Sequence, residues 1–203
     1  MSWQGAACVF QENKVSYTQK NIIEKWTLEI ERTEHSMRPM RKKERQITED
    51  EAYQILENAE YATLCTINAD DGAPYGVPIS YVVKNRVLYI HMAKEGQKLD
   101  NLKKDSRVCV TCVGQTLLYP EQYSTDFESA IVTGRAEFVT DREEKIEALR
   151  MLCEKYGLPD GGMFLEKKIE GGVDRMEIMK IPVEAISGKA RWRKPKPPMP
   201  EKA

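Results

Sequence analysis

The chain has 203 residues, 41 % of them hydrophobic, which suits one domain with an appendage and a sizeable core. Its 31 basic and 32 acidic residues leave a formal net charge of −1, so bulk electrostatic attraction to nucleic acid is not expected. No run nears the roughly 18 apolar residues of a membrane span, and the N-terminus has no basic segment leading into a long apolar stretch. The five cysteines therefore read as reduced thiols of a cytoplasmic protein.

In chain order, residues 1–36 stand apart. Residues 21–32 (NIIEKWTLEIER) put Ile22, Ile23, Trp26 and Ile30 on one helical face, and Asn21 with Glu24 forms a variant capping box. This reads as an added helix that packs on the domain or on a partner subunit. Equally, "MRPMRKKERQITEDEA" makes Met37 a natural opening of the functional chain. Thr48 and Glu51 form a capping box, and Tyr53, Ile55, Leu56 and Ala59 follow as a short amphipathic helix. "YATLCTI" (61–67) predicts a strand and "NADDGAPYG" a turn. "VPISYVV" and "RVLYIHM" are two more strands around a turn at Lys84 and Asn85. Residues 99–104 form a brief helix with its positive side chains toward the C-terminal end. "RVCVTCV" is a fourth strand and "SAIVTGRAEFV" a fifth.

Residues 141–156 give the clearest helix, with Asp141 as cap, Ile146, Leu149 and Leu152 on one face, and Gly157 just past the end. Two Gly-Gly pairs bracket "MFLEKKIE", and "VDRMEIMKIPVEAISGKA" supplies a last strand. The Pro- and Lys-rich tail, residues 191–203, is expected to end disordered. Short strands mostly in meander order argue for a small antiparallel barrel, and the helix at 141–156 makes the class α+β.

Cys109 and Cys112 form a C-x-x-C string. On a strand, residues three apart point to opposite faces, and no second Cys or His pair stands at metal spacing, so core cysteines and no metal are expected. There is no Ser-His-acid order, no G-x-S-x-G, no G-x-G-x-x-G after a strand and no Walker-type loop. In "HMAKEGQKLDNL", Gly96 permits an unusual backbone and Lys98 begins a short helix. Backbone N–H groups, a positive helix end and a lysine together can hold an anion of the phosphate kind; a solvated lysine is the plainer reading. His91, at the end of a strand, is by itself most simply a structural residue.

These stretches, in their order, also carry a likeness. "DGAPYGVPISYVVKNRVLYIHMAKEGQKLDNLKKDSRVCVTCV", then "YSTDFESAIVTGRAEFVTDREEKIEALRMLCEKY", then "IPVEAISGKA" resemble the flavin-binding split-barrel superfamily. Within it they are most similar to the nitroimidazole-resistance branch related to pyridoxamine 5′-phosphate oxidase. The resemblance covers residues 38–190, nearly all of a domain at 37–190 between the extension (1–36) and the tail (191–203).

It implies a six-stranded antiparallel split β-barrel with flanking helices. It further implies a homodimer with FMN, or alternatively FAD, in clefts at the subunit interface. The strand matching "VPIS" (Val77, Pro78, Ile79, Ser80) would pass along the isoalloxazine edge. The segment with His91, Met92, Gly96, Lys98 and Leu99 would wrap the ribityl phosphate, with Lys98 as its cation. Ser129 matches a position on the next flavin-facing strand. Trp192 and Arg193 echo a C-terminal Trp and Arg pattern near the substrate, but the sequence after "SGKA" departs from it, so pyridoxamine-phosphate oxidase activity is not implied. His91 would either donate a proton to a substrate beside the reduced flavin or only orient the phosphate.

The expectation is an FMN-binding oxidoreductase that reduces a small organic acceptor, with nitroaromatics such as 5-nitroimidazoles as candidates, and with neither nucleic acid nor membrane as partner. Its rivals are a non-catalytic flavin-nucleotide storage protein and a split barrel holding haem, with His91 as axial ligand, or the deazaflavin F420.

Overall fold

The computed structural model describes residues 37–157 and 163–198. The helix expected at 21–32 lies outside them. Contacts divide the chain into Met1–Ser36 and Met37–Ala203, and every described residue belongs to the second unit. In order it contains β1 (Gln46–Ile47), α1 (Glu49–Asn58), β2 (Ala62–Ile67), β3 (Pro74–Ile79), β4 (Val82–Lys84), β5 (Val87–Ala93) and α2 (Gln97–Lys104). Then follow β6 (Arg107–Tyr119), β7 (Ser124–Arg135), β8 (Glu137–Phe138), α3 (Arg142–Lys155), α4 (Met163–Gly172) and β9 (Met176–Arg191). None of the helices among the described residues is long and apolar enough to cross a membrane.

The strands pair in the order β3-β2-β6-β7-β9-β5-β4, and β1 and β8 also pair with β9. Every pairing is antiparallel. The 16-residue β9 holds the two halves together: its first part pairs with β5 and its later part with β7, past a register shift at Gly134. The path ends at β3 and β4, which Ser80 and Tyr81 join directly. Among the described residues each pairs on one side only, so the barrel is split there.

The class is the expected α+β split barrel, but among the described residues the sheet has nine strands rather than six. Two of them, β1 and β8, are two-residue additions on β9. "VPISYVV" is not one strand, because Tyr81 turns inward between β3 and β4. Its ring is fully buried, its hydroxyl donates to the Leu56 carbonyl, and its N–H donates to the Tyr156 hydroxyl at 3.0 Å. "MFLEKKIE" is part of α4, whose glycine borders had hidden it. Ile169 there, and Val173 just past its end, pack with Ile146, Leu149 and Leu152 of α3 and with Ile178. β6 and β7 run well past "RVCVTCV" and "SAIVTGRAEFV", forming a hairpin with an irregularity between Val113 and Thr116.

α1 owes its start to the capping box read from the sequence. Glu51 N–H donates to Thr48 Oγ1 at 3.3 Å, and Thr48 N–H donates to Glu51 Oε2 at 2.8 Å. Its buried face, Ala52, Ile55 and Leu56, closes the barrel core formed by Leu64, Leu88, Ile90, Val110, Val132 and Ile181.

Candidate functional site

The chain leaves β5 at Ala93 and enters α2 through Gly96, whose φ of 115° is a conformation that L side chains rarely adopt. Among the described residues no side chain caps this helix. Its position is set by Asn101, which is fully buried: its side-chain N–H donates to Thr66 Oγ1 at 3.0 Å and its Oδ1 accepts from Ala69 N–H at 2.8 Å. Gln97 adds a bond to Asn68 at 3.3 Å. α2 is thereby held at the Ile67 end of β2, where β3 begins.

Lys98, in the first turn of α2, is half-buried, and loss of solvent pushes its ammonium below the usual lysine range. Among the described residues no carboxylate offsets that loss. His91 presents an accessible edge on the outer side of β5, in register with Ile178. Neighbouring protein removes solvent from its ring, and the charge of Lys98 adds to the effect, so its imidazole titrates below 6.5. Two groups that can be positive thus stand near an uncapped helix N-terminus, each destabilised in its charged form. An anion would relieve all three features at once.

β3 lies along the next part of the surface. It bonds to β2 on one side, and its other edge leaves backbone donors and acceptors unpaired among the described residues. Pro78 is exposed and Val77 and Ser80 are half-buried. Pro78 stands in register with Thr63, and both line a cleft of about 1030 Å³. α1 contributes Gln54 and Asn58 to that cleft, β6 contributes Thr111, Val113 and Gln115, β7 contributes Glu128, and the C-terminal segment contributes Trp192 and Lys196. From Ile67 beside α2 to Thr63 at the cleft is on the order of 13 Å along β2 at about 3.3 Å per residue.

Sequence reasoning grouped its residues into one site, and the structure sorts them into three places. His91, Gly96 and Lys98 share the region around the start of α2. Pro78 and Trp192 line the cleft. Ser129 sits on the outer face of the sheet between Val113 and Lys189. Ile79, Met92 and Leu99 are core residues, so only their backbones can serve a ligand. Arg193 is engaged with Asp126. The tail, expected to end disordered, is tied down as far as Pro198, whose carbonyl accepts from Gln115 Nε2 at 3.2 Å.

Thr63, Thr111, Gln115, Glu128 and Lys196 escaped the sequence reading, because polar residues on strands and in tails look merely solvated. The one available signal was Asp126 and Glu128, two carboxylates on the same side of a strand that continues on that side as Ala130, Val132 and Gly134. Cys109 and Cys112 do face opposite ways: Cys112 is buried beside Tyr81, while Cys109 is half-exposed opposite Cys65. Among the described residues there is no group of three or more His, Cys, Asp or Glu side chains that could hold a metal ion.

The family model described as pyridoxamine 5′-phosphate oxidase matches residues 48–190. No curated protein matches the chain. Among solved structures, a candidate 5-nitroimidazole antibiotic resistance protein of Bacteroides thetaiotaomicron is 28 % identical, with a TM-score of 0.61 over 71 % of this chain and 86 % of that one. A conserved hypothetical protein of Mycobacterium tuberculosis is 18 % identical, with a TM-score of 0.66 over 81 % and 98 %. An FAD-binding protein of Mesorhizobium loti is 21 % identical, with a TM-score of 0.54 over 73 % and 98 %. The last two likenesses concern the fold alone.

Proposed function

Because this chain belongs to the pyridoxamine 5′-phosphate oxidase family, we propose that it is a cytoplasmic, homodimeric, FMN-binding oxidoreductase that reduces a small aromatic acceptor. The observation that carries the reading is Lys98: a half-buried ammonium that no carboxylate offsets among the described residues, beside His91 and a helix N-terminus that no side chain caps among them. The residues present suit a flavin phosphate. Lys98, His91 and the first-turn N–H groups of α2 would hold it, and Gly96 lets the backbone turn there without a side chain. The unpaired edge of β3, with Ser80 beyond it, would supply hydrogen bonds to the ring, and Pro78 and Trp192 would form apolar surfaces near it.

Bound flavin supplies two-electron chemistry. The protein's part is to bind, orient and exclude water. Loss of solvent, and then the Lys98 charge, favour the neutral imidazole of His91 when the site is empty. Beside a phosphate dianion it gains a proton and becomes a donor. Of its two candidate roles, the phosphate-orienting one fits better, since His91 stands with Lys98 and is not among the cleft residues. The likeness to the 5-nitroimidazole resistance protein supports a nitroaromatic as acceptor.

The test is the visible absorption spectrum of the purified full-length protein, followed by the mass of whatever it releases. A flavin band with released FMN is expected, and Lys98→Ala should weaken FMN binding at least tenfold, about 1.4 kcal/mol. A haem spectrum, or a colourless protein that takes up no added FMN, would overturn the assignment.

A further inference from the structure

Asp126 and Glu128 lie two residues apart on β7 and so share its inward side, where both are buried, at 0 % and 4 % exposure. Two carboxylates cannot stay charged so close together and so dry unless cations meet them. In this chain the partners come from the C-terminal segment, at and beyond the end of β9. Asp126 accepts the Arg193 backbone N–H at 2.9 Å and its Nε–H at 3.1 Å, with Arg191 at 3.9 Å. Burial alone would push the Asp126 carboxyl up, but these contacts bring it below the usual carboxylate value. Glu128 meets Lys196 Nζ at 2.7 Å and accepts the Gln115 N–H at 3.2 Å. The Arg193 guanidinium also lies 4.3 Å over the Tyr119 ring.

The hairpin is shaped for this arrangement. At Gly114, next to its irregularity, a Cβ would come within 2.6 Å of Glu128 Oε1, so the carboxylate tucks in only because that residue has no side chain. Residues 192–198 are thus fastened at Arg193 on Asp126, at Lys196 on Glu128, and at the Pro198 carbonyl on Gln115. Trp192 and Lys196, at either side of the first fastening, line the cleft, as does Glu128. A tail that served only solubility would need no buried anchors. Buried ion pairs of this kind are poor sources of stability but good at fixing one geometry.

We propose that residues 192–198 form a strap that holds Trp192 as one wall of the acceptor end of the cleft. Asp126, acting through Arg193, is the positioning residue that sets the selectivity of this end for flat aromatic molecules with an electronegative substituent. Trp192 offers the stacking face, and the partly exposed Lys196 ammonium offers a donor to a nitro or carboxylate group. The inference rests on the reading above that the cleft serves a flavin protein's acceptor.

The experiment uses the full-length, FMN-loaded protein carrying Trp3→Phe and Trp26→Phe, which leaves Trp192 as the single tryptophan. The probe is 4-nitrobenzoate, and its binding is read by quenching of Trp192 and by perturbation of the flavin absorbance. Asp126→Asn with Arg193→Gln removes both charges of this fastening together, so the only charge that loses a partner is the more distant, partly exposed Arg191. This pair should shift the Trp192 emission to longer wavelength and weaken 4-nitrobenzoate at least tenfold, and by more than it weakens FMN. In the parent chain, Trp192→Leu should show the same loss by flavin absorbance, and Trp192→Phe should largely restore binding.

Unchanged 4-nitrobenzoate affinity in the double variant or in Trp192→Leu overturns the strap. Should the double variant fail to fold, Trp192→Leu against Trp192→Phe decides the question alone. Parent protein that takes up no FMN defeats the flavin reading itself and this inference with it. Retained FMN with unaltered nitroaromatic binding defeats only the inference.

Discussion

At Lys98 the informative quantity is missing compensation. Lysines in the first turn of a helix are usually solvated, but this one loses solvent and gains no carboxylate among the described residues. His91 pays a similar cost, and its sign can be followed with pH. Its folded value lies below 6.5, so between that value and 6.5 the unfolded chain binds more protons than the native one. Stability therefore falls as pH drops through that window and is unaffected by His91 above it. A bound phosphate reverses the direction, because an opposite charge favours the imidazolium. A proton NMR titration, with His91→Gln to assign the two histidines, should show the His91 value below 6.5 without ligand and raised on addition of FMN. A value that FMN does not move would separate His91 from the phosphate site.

Among the elements, α1 shows how a local signal supports a distant site. Its capping box was readable because Thr48 and Glu51 need only their own spacing, and the helix then delivers Gln54 and Asn58 to the cleft wall. Thr48→Ala should cost about 1 kcal/mol, lowering the melting temperature by about 2–4 °C for a chain of this size. Thermal unfolding checks this, and an unchanged midpoint would mean that packing of Ala52, Ile55 and Leu56 alone fixes the helix start. Elsewhere local pattern misled. "VPISYVV" alternates like one strand, yet Tyr81 breaks it, because a buried hydroxyl needs a partner and finds the Leu56 carbonyl across the core. α4 was obscured by flanking glycines, and its helical character is supported by packing on α3.

On the scale of the whole molecule, the outer face of β2, β6 and β7 carries Thr63, Cys65, Thr111, Val113, Ser129 and Ile131. Val113 is 59 % exposed and Ile131 is 41 % exposed, with Tyr61 and Leu117 also open to solvent. Apolar side chains clustered on one sheet face suit a second copy of the chain. Placing a charge there should separate the copies: Ile131→Glu is expected to give a monomer by sedimentation and to weaken FMN binding if the flavin lies between subunits. A dimer that survives this change would put the interface elsewhere.

The sequence by itself determined the antiparallel barrel, the caps of α1 and α3, and the order of motifs that marks the family. These follow from alternation, short-range hydrogen bonds and composition, all of which act between residues close along the chain. It also singled out Lys98 and Gly96, through turn chemistry and likeness, but not the burial that makes Lys98 a site. Only the tertiary structure decided that Ile79, Met92 and Leu99 belong to the core, that β3, whose outer edge is unpaired among the described residues, links α2 to the cleft, and that the tail is fastened to Asp126 and Glu128. The tail's fastenings join residues more than sixty positions apart, the placement of α2 joins residues about thirty apart, and the desolvation that gives them their energy exists only once the sheet has closed around them.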